Sequence, residues 1–102
     1  MTGKLMVTAR IQPLNDTFTV VGQEAWALLE LIEAGPKGCT PLDNPGPRWS
    51  GYVHALRFEC NLDIETIHEA HKGQFPGNHA RYVLRSVVEI LSRSDFRDRE
   101  AA

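Results

Sequence analysis

The spacing of hydrophobic positions along this chain changes several times, and each change marks an element. Between residues 4 and 11, Leu5, Val7, Ala9 and Ile11 alternate with Lys4, Met6, Thr8 and Arg10, the period of two that a half-buried strand requires. Pro13 closes the run, Leu14-Asn15-Asp16 supplies turn chemistry, and Thr17-Phe18-Thr19-Val20-Val21 is rich in β-formers. Residues 4–21 are therefore expected to form a β-hairpin with a loop of about five residues. From Gln23 the period becomes helical: Ala25, Leu28, Leu29 and Ile32 fall at i, i+3, i+4 and i+7, with Trp26 and Leu31 widening the stripe. Gly22 is the expected cap of this helix, Glu24 suits the positive end of its dipole, and Gly35-Pro36 stops it near Ala34.

Lys37-Gly38-Cys39 leaves room for a single bridge of strand. Thr40-Pro41-Leu42-Asp43 then has the form of a helix start, with a Thr cap, Pro at the first helical position and an acid three residues after the cap. Asn44-Pro45-Gly46-Pro47 interrupts it, because Pro45 disfavours helical geometry at Asn44 and removes a backbone donor. The second helix is thus expected to be about one turn long. A third helix follows over residues 47–60. Trp49, Val53, Leu56 and Cys60 lie at i, i+4, i+7 and i+11, so one stripe faces a core, while Arg48, Ser50, Gly51, His54 and Arg57 lie towards the other side. Asn61 suits the left-handed position that ends such a helix.

Leu62, Ile64 and Ile67 lie among polar neighbours and predict a strand over 62–69. A loop over 70–79 contains two glycines and a proline, and residues 80–86 alternate again, with Tyr82 and Leu84 on one side and Arg81, Val83 and Arg85 on the other. The apolar cluster Val87, Val88, Ile90 and Leu91 is expected to form a short helix, with a mixed-charge end from Ser94 that frays.

Composition narrows the function. A length of 102 residues accommodates one domain, and 42% hydrophobic with 24% charged residues is ordinary for a globular protein. No apolar run approaches the roughly 20 residues of a membrane span, and Met1-Thr2-Gly3-Lys4 lacks a signal-peptide core, so a cytoplasmic protein is expected. In a reducing cytosol, Cys39 and Cys60 are expected to remain separate thiols. Thirteen acids against eleven bases give a formal charge of −2, so any nucleic-acid affinity must rest on where the cations sit. Arg48, Arg57, Lys72, Arg81 and Arg85 and all four histidines lie between positions 48 and 85, diluted by Glu59, Asp63, Glu65 and Glu69. The spacing of His68, His71, His79 and Cys60 falls short of a tetrahedral metal site. No nucleophile–base set, phosphate loop or isolated carboxylate pair stands out, so neither an enzyme, a cofactor nor a small-molecule substrate is expected.

The order helix, bridge, abbreviated helix, amphipathic helix, strand, loop, strand is that of a winged helix-turn-helix domain. Residues 22–86 resemble the small winged-helix proteins of bacterial and prophage genomes through Arg48, Ser50, Gly51, Val53, His54, Leu56 and Arg57, then Ile64-Glu65-Thr66, then Ala80-Arg81-Tyr82-Val83-Leu84. The resemblance implies an α+β fold with three helices, the second abbreviated, and a C-terminal β-hairpin wing, here with an extra N-terminal β-hairpin. Residues 1–21 would be that extension, 22–86 the winged-helix domain and 87–102 a tail. It also implies double-stranded DNA as partner, bound by helix 47–60 and wing 70–79 in a transcriptional or mobile-element accessory role. On this reading the DNA-binding residues are Arg48, Ser50, Gly51, His54, Arg57, His71, Lys72, His79 and Arg81, with the histidines a source of pH sensitivity between roughly pH 5 and 7. A homodimer is an open alternative for assembly, and the competing function is a protein-contact or dimerisation module without DNA. Trp49 and Tyr52 flank the apolar stripe and are expected in core and rim rather than as stacking platforms.

Overall fold

A computed structural model describes residues 5–13, 15–45, 48–71 and 77–95, with the side chains of His71 and Asp95 excepted. The fold is α+β. In chain order it runs β1 (Leu5–Gln12), β2 (Asp16–Val21), α1 (Gly22–Ala34), α2 (Trp49–Glu59), β3 (Ile64–His71), β4 (Gly77–Leu84) and β5 (Val87–Asp95). β1 and β2 pair antiparallel across the expected turn, from Ile11 opposite Asp16 to Met6 opposite Val21. Val7, Ala9 and Val20 are buried, so one face of this hairpin closes over α1, whose Ala25, Ala27, Leu28 and Leu31 are fully buried.

The apolar cluster at Val87 corrects the expectation of a helix. β5 is a strand that pairs with the free edge of β1, giving a three-stranded sheet in the order β2-β1-β5. A short apolar run has no distinguishing period, and the backbone donors of β1, at the other end of the chain, decide its state. A register shift opposite Thr8 and Ala9 leaves Leu91 without a partner, a bulge that also breaks the alternation a strand would otherwise reveal. The turn from β4 into β5 is held at one residue: Arg85 and Ser86 N–H groups donate to the Asp63 carbonyl, and Asp63 N–H donates to Ser86 Oγ at 2.8 Å.

The expected second helix is also corrected. Among the described residues there are two α-helices. Residues 40–44 form one closed turn, in which Asn44 N–H donates to the Thr40 carbonyl at 2.8 Å and Asp43 N–H to Thr40 Oγ1 at 2.9 Å. Pro45 stops propagation there, and a single turn lacks the cooperativity of a helix. Ahead of it, Gly35-Pro36-Lys37 tightens into a 3-10 turn and Cys39 makes an isolated antiparallel bridge to Tyr82, as the connector length predicts. Gly38 is required there. Its φ is +73°, and a Cβ would lie 2.6 Å from the Tyr82 carbonyl oxygen.

Four aromatic rings join the two helices to the β3–β4 hairpin. Trp49 lies 5.4 Å from Trp26, 6.2 Å from Tyr52 and 6.0 Å from Tyr82, on which it stacks at 19°. Trp49 Nε1 donates to the Asn44 carbonyl at 2.6 Å, and Tyr52 Oη makes a 2.9 Å bond with Gln23 Oε1. Both residues are buried, so the rings locate the start of α2.

Candidate nucleic-acid interface

α2 turns Trp49, Tyr52, Val53, Ala55 and Leu56 inward, which leaves Ser50, Gly51, His54 and Phe58 on its solvent side, with Arg48 exposed immediately before the first turn. Ser50, His54 and Phe58 are spaced by four residues and form one stripe. A Cβ built on Gly51 meets nothing nearer than the Arg48 side chain, at 3.8 Å. The glycine is therefore not demanded by packing. The structure brings Arg48, Ser50, Gly51 and His54 together on one surface.

Arg57 takes another direction. Its guanidinium donates to the Ile64 carbonyl, from Nε at 3.0 Å and from Nη2, and to Thr66 Oγ1. It clamps the last turn of α2 to the start of β3. Helix periodicity places a residue on a side of the helix, but a long side chain can still reach back to an acceptor that only the neighbouring strand supplies.

The hairpin is longer than expected. Ala70 pairs with Asn78 and His71 with Gly77, so those residues are strand rather than loop. Lys72 and the side chain of His71 lie outside the described residues. Directly opposed residues of an antiparallel pair share a face. Thr66, His68 and Ala70 thus share one face with Tyr82, Ala80 and Asn78, and it is the face that meets α2, through the Trp49–Tyr82 stack and the Arg57–Thr66 bond. Glu65, Ile67 and Glu69 share the opposite face with Val83, Arg81 and His79. There Glu69 accepts from Arg81 Nε at 2.7 Å through one oxygen and lies 3.0 Å from His79 Nε2 through the other, while Arg81 Nη1 donates to the Lys37 carbonyl at 2.9 Å. Arg85 pairs with Glu65 beside them.

The Arg81 guanidinium holds the Glu69 carboxyl below the usual carboxylate range, and Glu69 in turn raises Arg81. Across the other sheet, Arg10 lowers Glu89 in the same way, at 2.7 Å. A carboxylate whose pKa is lower folded than unfolded stabilises the fold above its unfolded pKa and loses that contribution as pH falls through the folded value. Stability should therefore decline on acidification below the ordinary carboxylate range, and Glu69→Gln should flatten part of the decline in a series of thermal melts. An unchanged acid limb in that variant would exclude the Glu69 cluster as a source. Burial pushes the Cys39 thiol up to about 11, with Glu30 adding to the rise and Arg81 opposing it, and burial raises Cys60 too. Both are free, buried thiols that stay neutral at ordinary pH.

Three residues of this region go beyond those the sequence singles out for DNA: Phe58, 70% exposed on α2, and His68 and Asn78, exposed on the α2 side of the hairpin. Phe58 was legible as an apolar residue off the core stripe, whereas His68 and Asn78 needed the β3–β4 register. Among the described residues no group of His, Cys, Asp or Glu could hold a metal ion, and no helix is long and apolar enough to cross a membrane. Residues 17–94 match a family model described as a winged helix domain. No curated protein and no solved structure matches the chain.

Proposed function

This chain belongs to the winged helix domain family, and from that premise we propose that it binds double-stranded DNA with α2 in the major groove, in a regulatory or accessory role. The observation that carries the reading is the solvent side of α2. Ser50 and Gly51 are small enough to let the backbone approach base edges, His54 lies one turn further on, and Arg48 stands at the helix start, the end that reader helices present to bases. The Trp49 ring cluster and the Arg57 clamp hold this side outward, which reduces the ordering that binding would otherwise require. On the hairpin, His68 and Asn78 extend the surface towards the wing. Arg81 and His79 can serve phosphate only if it displaces Glu69.

The test is selection of duplexes from a random pool at physiological salt, followed by two variants. Arg48→Ala should weaken binding to the enriched duplex roughly tenfold to a hundredfold, the range for loss of one good base contact. Gly51→Ala should separate fold from function: a helix-interior Gly costs about 0.5–1 kcal/mol relative to Ala, so the variant melts higher, yet its added methyl holds DNA away and affinity falls. A stabilised Gly51→Ala protein with unchanged affinity would remove Gly51 from the interface, and a pool without enrichment rejects DNA binding altogether.

One observation favours a second reading, a winged helix used for protein contact. Arg57, Arg81 and Arg85 are all engaged within the chain, and the formal charge is −2, which leaves little non-specific attraction for a polyanion. Failure of the pool selection together with concentration-dependent self-association in sedimentation would favour it.

A further inference from the structure

Phe58 is the most exposed of the large apolar side chains among the described residues. It belongs to neither the buried core nor the apolar residues packed against it, and its ring contact is with His54, centroids 4.7 Å apart and tilted by 45°. Both rings stand on the stripe that begins at Ser50, on the side of α2 opposite Trp49, Val53 and Leu56.

We propose that Phe58, backed by His54, reads thymine at this interface through the thymine C5 methyl. The inference rests on the DNA-binding reading above and adds a base to it. Three observations lead to it. The stripe is continuous: Ser50, His54 and Phe58 advance about 6 Å per step along the helix, so a groove that receives Ser50 and His54 also meets Phe58. The chemistry fits, because the thymine methyl is the apolar group that the major groove offers and Phe is among the side chains that contact it. The size also fits. The ring contact within α2 is with His54, and no residue of the apolar cluster packs on the ring, so a single exposed ring is offered, which suits one methyl and is too little for the apolar centre of a protein interface. The His54 ring restricts the places the Phe58 ring can occupy and so favours one contact geometry.

The experiment uses the duplex enriched from the random pool and the same duplex synthesised with deoxyuridine replacing thymine, one position at a time. Deoxyuridine keeps the base-pairing edge and lacks only the methyl. The unmodified protein should lose about fourfold in affinity at each contacted thymine, the value of one buried methyl, and Phe58→Ala should bind the thymine and deoxyuridine duplexes equally at that position. Phe58→Leu, which retains an apolar end, should keep part of the discrimination. Because the thymine-to-deoxyuridine affinity ratio is compared between variants, effects of deoxyuridine on the duplex itself cancel, and a melting curve for each variant verifies the fold. If the protein binds an enriched duplex but is indifferent to deoxyuridine everywhere, or if Phe58→Ala discriminates as well as the unmodified chain, the thymine contact is overturned and DNA binding stands. If no duplex is enriched, the DNA-binding reading fails and the thymine contact with it.

Discussion

Trp49→Ala is expected to cost about 3–5 kcal/mol, the range for emptying a large aromatic site in a core. That is a large share of the roughly 5–15 kcal/mol that stabilises a typical domain. The indole is 3% exposed and touches three other rings, from α1, from α2 and from β4. Its removal therefore opens a cavity at the junction of three elements, and the Asn44 carbonyl loses the donor at 2.6 Å. Trp49→Phe separates the two effects. It keeps most of the ring packing and removes the indole N–H, so its cost should be well below that of alanine and reflect one lost hydrogen bond plus a partial void. Urea unfolding monitored by circular dichroism measures both. A loss of under about 1 kcal/mol for Trp49→Ala would contradict the ring cluster as the anchor of α2, since surface substitutions fall in that range.

The second large effect belongs to Gly38→Ala, expected at on the order of 2–4 kcal/mol from left-handed backbone strain and overpacking together. The added Cβ would sit 2.6 Å from the Tyr82 carbonyl oxygen and 2.8 Å from Val83 Cγ2, atoms of a strand interior that cannot swing aside. The bridge between Cys39 and Tyr82, with N–H···O bonds of 2.9 and 2.8 Å in the two directions, links the connector after α1 to the β3–β4 hairpin through the backbone. Hydrogen exchange at the Cys39 and Tyr82 amides should accelerate more than at the α1 core amides. Equal acceleration everywhere would mean global destabilisation without specific loss of the bridge.

Most elements were legible because their patterns are local. The alternation from Leu5 to Ile11 meets its partner across a short turn. α1 (Gly22–Ala34) starts one residue before the expected Gln23, with Val21 rather than Gly22 as its cap, and carries its own stop in Gly35-Pro36. The stripe through Trp49, Val53 and Leu56 buries as its spacing requires. Asn61 adopts the left-handed conformation, φ 61°, that its position after the helix suggests. β5 was not legible, since Val87 to Leu91 is too short to show a period and its hydrogen-bonding partner is β1. The candidate interface divides in the same way. Ser50, Gly51 and His54 lie outward because α2 is amphipathic, and this is written in the sequence. The engagements of Arg57 with Ile64 and Thr66, and of Arg81 and His79 with Glu69, depend on which strand lies opposite and in what register.

The sequence by itself determined α1, α2, the existence of the strands of both hairpins and the outward side of α2, because each follows from backbone preference and the burial of a nearby stripe. The tertiary structure alone decided that β5 completes the sheet begun by β1, that the hairpin turns His68 and Asn78 towards α2 and Arg81 and His79 away, and that most of the arginines in the window are engaged within the chain. These are long-range pairings of donors with acceptors. A linear pattern can place a residue on a face, but what the residue binds there depends on which distant segment is folded against it.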